Sequence, residues 1–272
     1  MIADLNTALR QRQPADREIF IFVHGYNNNI ADSLFRNAQI VHDYGVKSVA
    51  VHYAWPSAGS VPLYVFDRDS VLVARRGLAE TIEIAAQTEA SRIIIIGHSM
   101  GSFVVMEALR DLAISGGSRY LERLSGVILA APDIDADVFE SQVTDIGNLP
   151  DPFTIIVSRR DRALGIARRI AGGHPRVGSG TEIASLQERA IIVLDVSDLD
   201  GGSHGVFASS NTLMKLVGNN ALMRALIRDE QSATSPGALA EGASALEEAA
   251  SLTIFLPARL FSRLSADARA AY

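Results

Sequence analysis

Residues 92–113 constrain this chain more than any other stretch. Four consecutive isoleucines, Ile93 to Ile96, run into Gly97, His98, Ser99, Met100 and Gly101, and a helix-like segment follows over 102–113. β-Branched residues that are apolar on both faces predict a central parallel strand, buried beneath helices on each side. A sharp turn after it forces the central residue into a strained conformation, and glycines two before and two after that residue let chain and helix pass closely. A strand, turn and helix of this kind presents a serine hydroxyl to solvent, the setting a nucleophile needs.

The rest of the chain repeats the alternation. Apolar runs at 19–23, 46–52, 93–96, 126–130, 153–157 and 191–196 read as strands, and helical periodicity occupies 30–44, 70–87, 102–113, 135–146, 163–170 and 206–219. Strand and helix in strict alternation imply an α/β domain with a mostly parallel sheet and helices on both faces. Ligands of such sheets bind beyond the carboxyl ends of the strands. His24, Trp55, Ser99, Asp133, Asp161 and His204 stand just past successive runs.

A serine needs a base to take its proton and a carboxylate to orient that base. Of six histidines, only His204 follows the last strand, in the glycine-containing loop 201–205 that leads into a helix. His98 adjoins Ser99, but adjacent side chains diverge, so packing or support of the turn is its expected role. Asp161, directly after the fifth run, is the first candidate for the acid. Asp133 after the fourth run is its rival, with helix capping or loop ordering as its other reading. The tetrahedral oxyanion needs donors: the backbone N–H of Met100 heads the helix, and Gly25 or Tyr26 can supply a second from the loop after the first strand. His24, Trp55 and His98 are candidates for the pocket, although a buried Trp55 that only packs fits the sequence equally well. The Asp133, Asp135, Asp137 spacing suggests a calcium loop, yet Val138 stands where a glycine is needed and Thr144 where a glutamate closes such loops. No metal and no cofactor are expected.

Composition removes other classes. The chain has 272 residues, 48% hydrophobic, a net charge of −6 and no cysteine. Disulfides and thiolate chemistry are thereby excluded, and no basic stripe marks a nucleic-acid partner. No run reaches the roughly 18 to 20 apolar residues of a membrane span. Residues 1–17 lack a signal-peptide core, so a cytoplasmic location is expected.

Taken together, VHGYN, the WPSAG around Trp55, GHSMG and the APDID segment resemble the bacterial α/β-hydrolase family catalogued as DUF900, over about residues 17–220. The order Ser99, Asp161, His204 matches the superfamily's nucleophile, acid and histidine, and HGYN resembles its oxyanion loop. The resemblance implies an α/β-hydrolase fold and a serine hydrolase acting on short acyl esters through an acyl-enzyme. The same triad also serves acyltransferases and thioesterases, and a catalytically silent binding or envelope protein could use the fold. Residues 1–16 leave no room for the two leading antiparallel strands of full-length α/β-hydrolases. No long insertion follows the fourth strand, so little or no cap is expected, and with it a shallow site for a small acyl ester.

Residues 1–228 read as the catalytic domain. Residues 229–272 read as a linker rich in Ala, Ser and Glu, followed by the apolar cluster Leu252, Ile254, Phe255, Leu256, Leu260, Phe261 and Leu264. A cluster of this size is expected to dock on the parent domain, join two copies as a homodimer, or act as a lid.

Overall fold

In a computed structural model, which describes residues 1–199, 204, 205, 207 and 253–255, strands and helices alternate as the apolar runs require. In chain order the elements are α1 (Ile2–Arg10), β1 (Glu18–Val23), α2 (Ile30–Asp43), β2 (Val49–Tyr53), α3 (Tyr64–Ala86), β3 (Arg92–His98), α4 (Met100–Ile114), α5 (Ser118–Leu121), β4 (Leu124–Ala130), α6 (Ala136–Ile146), β5 (Phe153–Val157), α7 (Arg162–Ile170), α8 (Ile183–Glu188), β6 (Ile192–Asp195) and β7 (Thr253–Phe255). The seven strands form one sheet in the order β2-β1-β3-β4-β5-β6-β7. Every pairing is parallel except that of β7 on β6.

The two faces of β3 differ. Ile93 and Ile95 are fully buried beneath the larger core, to which α3, α4 and α6 contribute Leu78, Ile82, Leu109 and Phe139. Ile94 and Ile96 look to the other face and are only partly buried. There the smaller core joins Phe20, Phe22, Ile128 and Ile156 to Ile40 of α2 and to Phe207. The helix expected over 206–219, the linker and most of the apolar cluster lie outside the described residues. Three residues of that cluster region pair in register within the same chain, Thr253 opposite Asp195 and Phe255 opposite Val193.

The structure departs from the sequence reading in several places, adding the short helices α5 and α8 and the strand β7 and shifting strand ends such as that of β2. Helix α3 begins at Tyr64, six residues before periodicity becomes visible, because a 3-10 turn over Val61–Leu63 containing Pro62 launches it. The polar start of the chain forms α1, whose single fully buried side chain is Leu9.

The register places the site. Val23 pairs with Gly97 across β1 and β3, so Gly25 and Ser99, each two residues further on, emerge side by side. The chain runs from β1 outward to β2 and returns on the opposite side of β1 as β3. That reversal is where open α/β sheets hold their ligands.

Candidate active site

Ser99 caps α4 with φ 54° and ψ −123°, a left-handed conformation that costs a non-glycine residue about 1–3 kcal/mol and persists only when its surroundings hold it. They do hold it. The Ser99 N–H donates to the Ala130 carbonyl at 2.9 Å, and the Ser99 carbonyl accepts from Ser102 at 3.0 Å and Asp133 at 3.3 Å. The Ser102 hydroxyl closes the turn on the Gly97 carbonyl at 2.9 Å. Each flanking glycine has a steric reason. A Cβ on Gly97 would lie 2.8 Å from Ser102 Cα, and one on Gly101 would lie 2.3 Å from the His24 carbonyl oxygen.

Gly25 abuts the serine: a Cβ there would meet Ser99 Cβ and His98 Nδ1, each at 3.0 Å. The loop that carries it is braced from inside the protein. The Asn28 side-chain amide donates to the carbonyls of Gly25 and Tyr26, at 3.1 and 2.8 Å, and Asn27 takes φ 57°. The Gly25 and Tyr26 carbonyls are thereby both engaged by the Asn28 amide. Met100, the other expected donor, is the first residue of α4.

His24 and Trp55 are packed away from solvent, at 2% and 4% exposure, and they lock this loop to the end of β2. The Trp55 backbone N–H donates to His24 Nε2 at 3.1 Å, and the Trp55 indole N–H donates to the His24 carbonyl at 2.7 Å. The rings stack at 5.2 Å. With Nε2 accepting, the ring proton sits on Nδ1 and donates to the Gly25 carbonyl at 2.9 Å. Burial lowers the His24 pKa and keeps that neutral tautomer. The segment after Trp55 is clamped by Asp67 of α3, whose carboxylate accepts from the Ser57 hydroxyl at 2.6 Å and the Ala58 N–H at 2.7 Å.

On the other side of the serine, His204 Nδ1 lies 2.7 Å from Asp161 Oδ2. The second oxygen, Oδ1, caps α7 by accepting from Ala163 and Leu164 at 2.9 and 3.1 Å. The carboxylate is thereby fixed in orientation while holding the imidazole. His98 supports the same group from below: its Nε2–H donates to the His204 carbonyl at 3.1 Å, and its ring lies 4.9 Å from the His204 ring and 4.6 Å from Phe207. Burial, with the neighbouring His204 second, holds the His98 pKa well below its usual range.

The rival acid is engaged elsewhere. Asp133 Oδ2 accepts from the Tyr64 hydroxyl at 2.7 Å, and Oδ1 lies 3.3 Å from Nε of Arg176, a fully buried arginine. Burial raises the Asp133 pKa, and the Arg176 guanidinium opposes the rise. Backbone bonds from Val177 to the Ile134 carbonyl and from Gly178 to the Pro132 carbonyl, both 3.0 Å, seat this ion pair under the turn that carries Ser99.

The loops bearing acid and base are also joined, since the Arg159 N–H donates to Ser197 Oγ at 2.8 Å and its guanidinium meets Asp195 at 3.2 Å. Tyr64, Arg176 and Asp195 escape a reading of the sequence because each acts through a partner distant in the chain, and Asn28 and Asp67 because no motif marks them. The Asn27, Asn28, Asn29 run was the one visible hint, in residues that favour left-handed and side-chain-bonded turns.

A family model described as an alpha/beta hydrolase of unknown function, DUF900, matches residues 2–220. The chain belongs to the DUF900 family. Solved structures similar to this DUF900 hydrolase include an esterase of Pyrobaculum calidifontis in a monoclinic form, 12% identical, with a TM-score of 0.43, covering 79% of this chain and 78% of the other. A hydrolase of Agrobacterium vitis S4, described there as putative, is 14% identical, with a TM-score of 0.46 and coverage of 80% and 91%. No curated protein matches. Among the described residues of this DUF900 hydrolase, no helix is long and apolar enough to cross a membrane.

Proposed function

We propose that this DUF900 hydrolase cleaves carboxylic esters with Ser99 as nucleophile, His204 as general base and acid, and Asp161 as the carboxylate that orients His204. Two observations support the reading: a strained Ser99 at the end of β3 and a His204–Asp161 bond of 2.7 Å. Ser99 Oγ attacks the acyl carbon while His204 takes its proton. The oxyanion that forms is met by the N–H of Met100 and by an N–H of the Gly25–Tyr26 loop, each such donor contributing about 10²- to 10³-fold in rate. His204 then protonates the departing alcohol, and water, activated by the same imidazole, releases the acid.

Only residues 131–135 separate β4 from α6, so no cap is inserted at that position. Short acyl groups fit such a site better than long lipids. Hydrolysis of p-nitrophenyl esters from acetate to palmitate, for the wild type beside Ser99→Ala, tests this. A rate that falls with chain length and drops at least about 10³-fold in Ser99→Ala is expected. A rate indifferent to Ser99 in folded protein would overturn it.

A further inference from the structure

The first residue of α3 touches both segments that flank the Ser99 hydroxyl. On one side, the Tyr64 hydroxyl donates to Asp133 Oδ2 at 2.7 Å, and the Asp133 backbone N–H donates to the Ser99 carbonyl at 3.3 Å. On the other, the Tyr64 ring packs edge-on against Tyr26 at 5.3 Å, and the Tyr26 hydroxyl donates to the Val61 carbonyl in the 3-10 turn that launches the helix. Tyr26 follows Gly25, where an added Cβ would meet Ser99 Cβ at 3.0 Å. The nucleophile turn and the Gly25–Tyr26 loop therefore share one strut, and Tyr64 stands where its two arms meet.

The strut is stiff along its length. Tyr64 is buried, and burial together with the neighbouring Asp133 raises its pKa, so the phenol keeps its proton and remains a donor. Behind Asp133, the buried Arg176 guanidinium lies 3.3 Å from Oδ1, and the Gly178 N–H donates to the Pro132 carbonyl at 3.0 Å. A Cβ on Gly178 would lie 2.7 Å from the Ala131 carbonyl carbon. Ala131 takes φ 47° and Ser99 φ 54°, conformations that non-glycine residues keep only where their surroundings enforce them. A segment packed this closely passes a shift at one end on to the other.

The geometry points to Tyr64 as a positioning residue: with its hydroxyl on Asp133 and its ring against Tyr26, it sets the Met100 N–H and the Gly25–Tyr26 loop in place around a single oxyanion. This rests on the ester-hydrolase reading above. The Ser99 carbonyl and the Met100 N–H belong to one planar trans peptide and point opposite ways. Asp133 and Ser102, which hold that carbonyl, therefore also aim the N–H. Oxyanion donors act when they lie about 2.7–3.1 Å from the oxygen, and a displacement near 1 Å costs about 100-fold. Without the Tyr64 hydroxyl, Asp133 loses the tie that couples it to the Tyr26 side, while Ser99, His204 and Asp161 keep their own bonds.

The test compares kcat and KM for p-nitrophenyl butyrate in the wild type, Tyr64→Phe and Tyr53→Phe. Tyr53 is the control because its hydroxyl also bonds to α3, at the Ala74 carbonyl at 2.6 Å, farther along the helix. Tyr64→Phe should lower kcat about 10- to 100-fold with KM within about twofold of the wild type. It should weaken by a similar factor the binding of a trifluoromethyl ketone, whose adduct with Ser99 carries an oxyanion. Tyr53→Phe should leave all three at their wild-type values. An unchanged kcat in Tyr64→Phe, a loss expressed in KM, or an equal loss in Tyr53→Phe would overturn the assignment. Amide hydrogen exchange of residues 24–28 and 99–101, read by mass spectrometry, needs no turnover: both segments should exchange faster in Tyr64→Phe and at the wild-type rate in Tyr53→Phe. That pattern in a protein whose wild type turns over no ester would sink the hydrolase reading alone. Turnover with kcat and exchange both indifferent to Tyr64 would sink the positioning role alone.

Discussion

His98 neighbours the candidate nucleophile in sequence, yet its ring is spent on the candidate base: its N–H holds the His204 carbonyl, and its face packs on Phe207. A residue so placed acts through another, by fixing where His204 stands. His98→Ala is therefore expected to lower kcat about 10- to 100-fold with KM little changed, since small displacements of a catalytic group carry penalties of that order. His98→Gln, which keeps an N–H donor at the end of its side chain, should restore part of the loss. Equal effects of the two variants on kcat, measured with p-nitrophenyl butyrate, would argue for a packing role instead. At this scale, the sequence shows which residues could do chemistry but not what holds them. Ser99, Asp161 and His204 stand out as candidates by type and order. The Arg176–Asp133 pair does not, because nothing around Arg176 in the sequence marks it and only folding sets it beside Asp133.

Among the elements, β3 and the turn after it are the most legible, because apolar runs and glycine spacing are local properties. The launch of α3 at Tyr64 is hidden by Pro62 and by large apolar residues on its outer side: Val65 and Phe66 remain exposed while Tyr64 and Asp67 are buried. Periodicity fails there because the outward face is as apolar as the inward one. Strand β7 is hidden for a different reason. Three residues carry too short a pattern to recognise, and only the pairing of Ile254 with Leu194 makes them a strand. Asp67 shows how much the concealed start of α3 matters. It sits in the part of α3 that periodicity conceals, and it holds the segment after Trp55 in place beside the loop that carries Gly25.

For the whole molecule, the buried imidazoles set a dependence of stability on pH. Burial lowers the pKa values of His24, His52 and His98 from the ordinary 6.5. The unfolded chain therefore binds more protons than the folded one just below that value, and stability falls as pH drops through it. The loss amounts to at most about 1.4 kcal/mol per pH unit for each fully buried histidine. Asp133 works the other way. Its raised carboxyl costs stability as pH climbs above the ordinary 3.8, so it blunts the loss on acidification, but one carboxylate opposes three histidines. The urea midpoint is expected to fall between pH 7.5 and pH 5, and a flat midpoint across that range would count against the buried neutral imidazoles.

The central claim for the whole molecule is that its fold converges on an activated Ser99. Intact-mass analysis after exposure to a fluorophosphonate measures this most directly, with the modified peptide then located by fragmentation. One adduct on Ser99 in the wild type, absent in Ser99→Ala and strongly slowed in His204→Ala, is the predicted result. A folded wild-type protein that stays unmodified, or that reacts equally fast without His204, would contradict it.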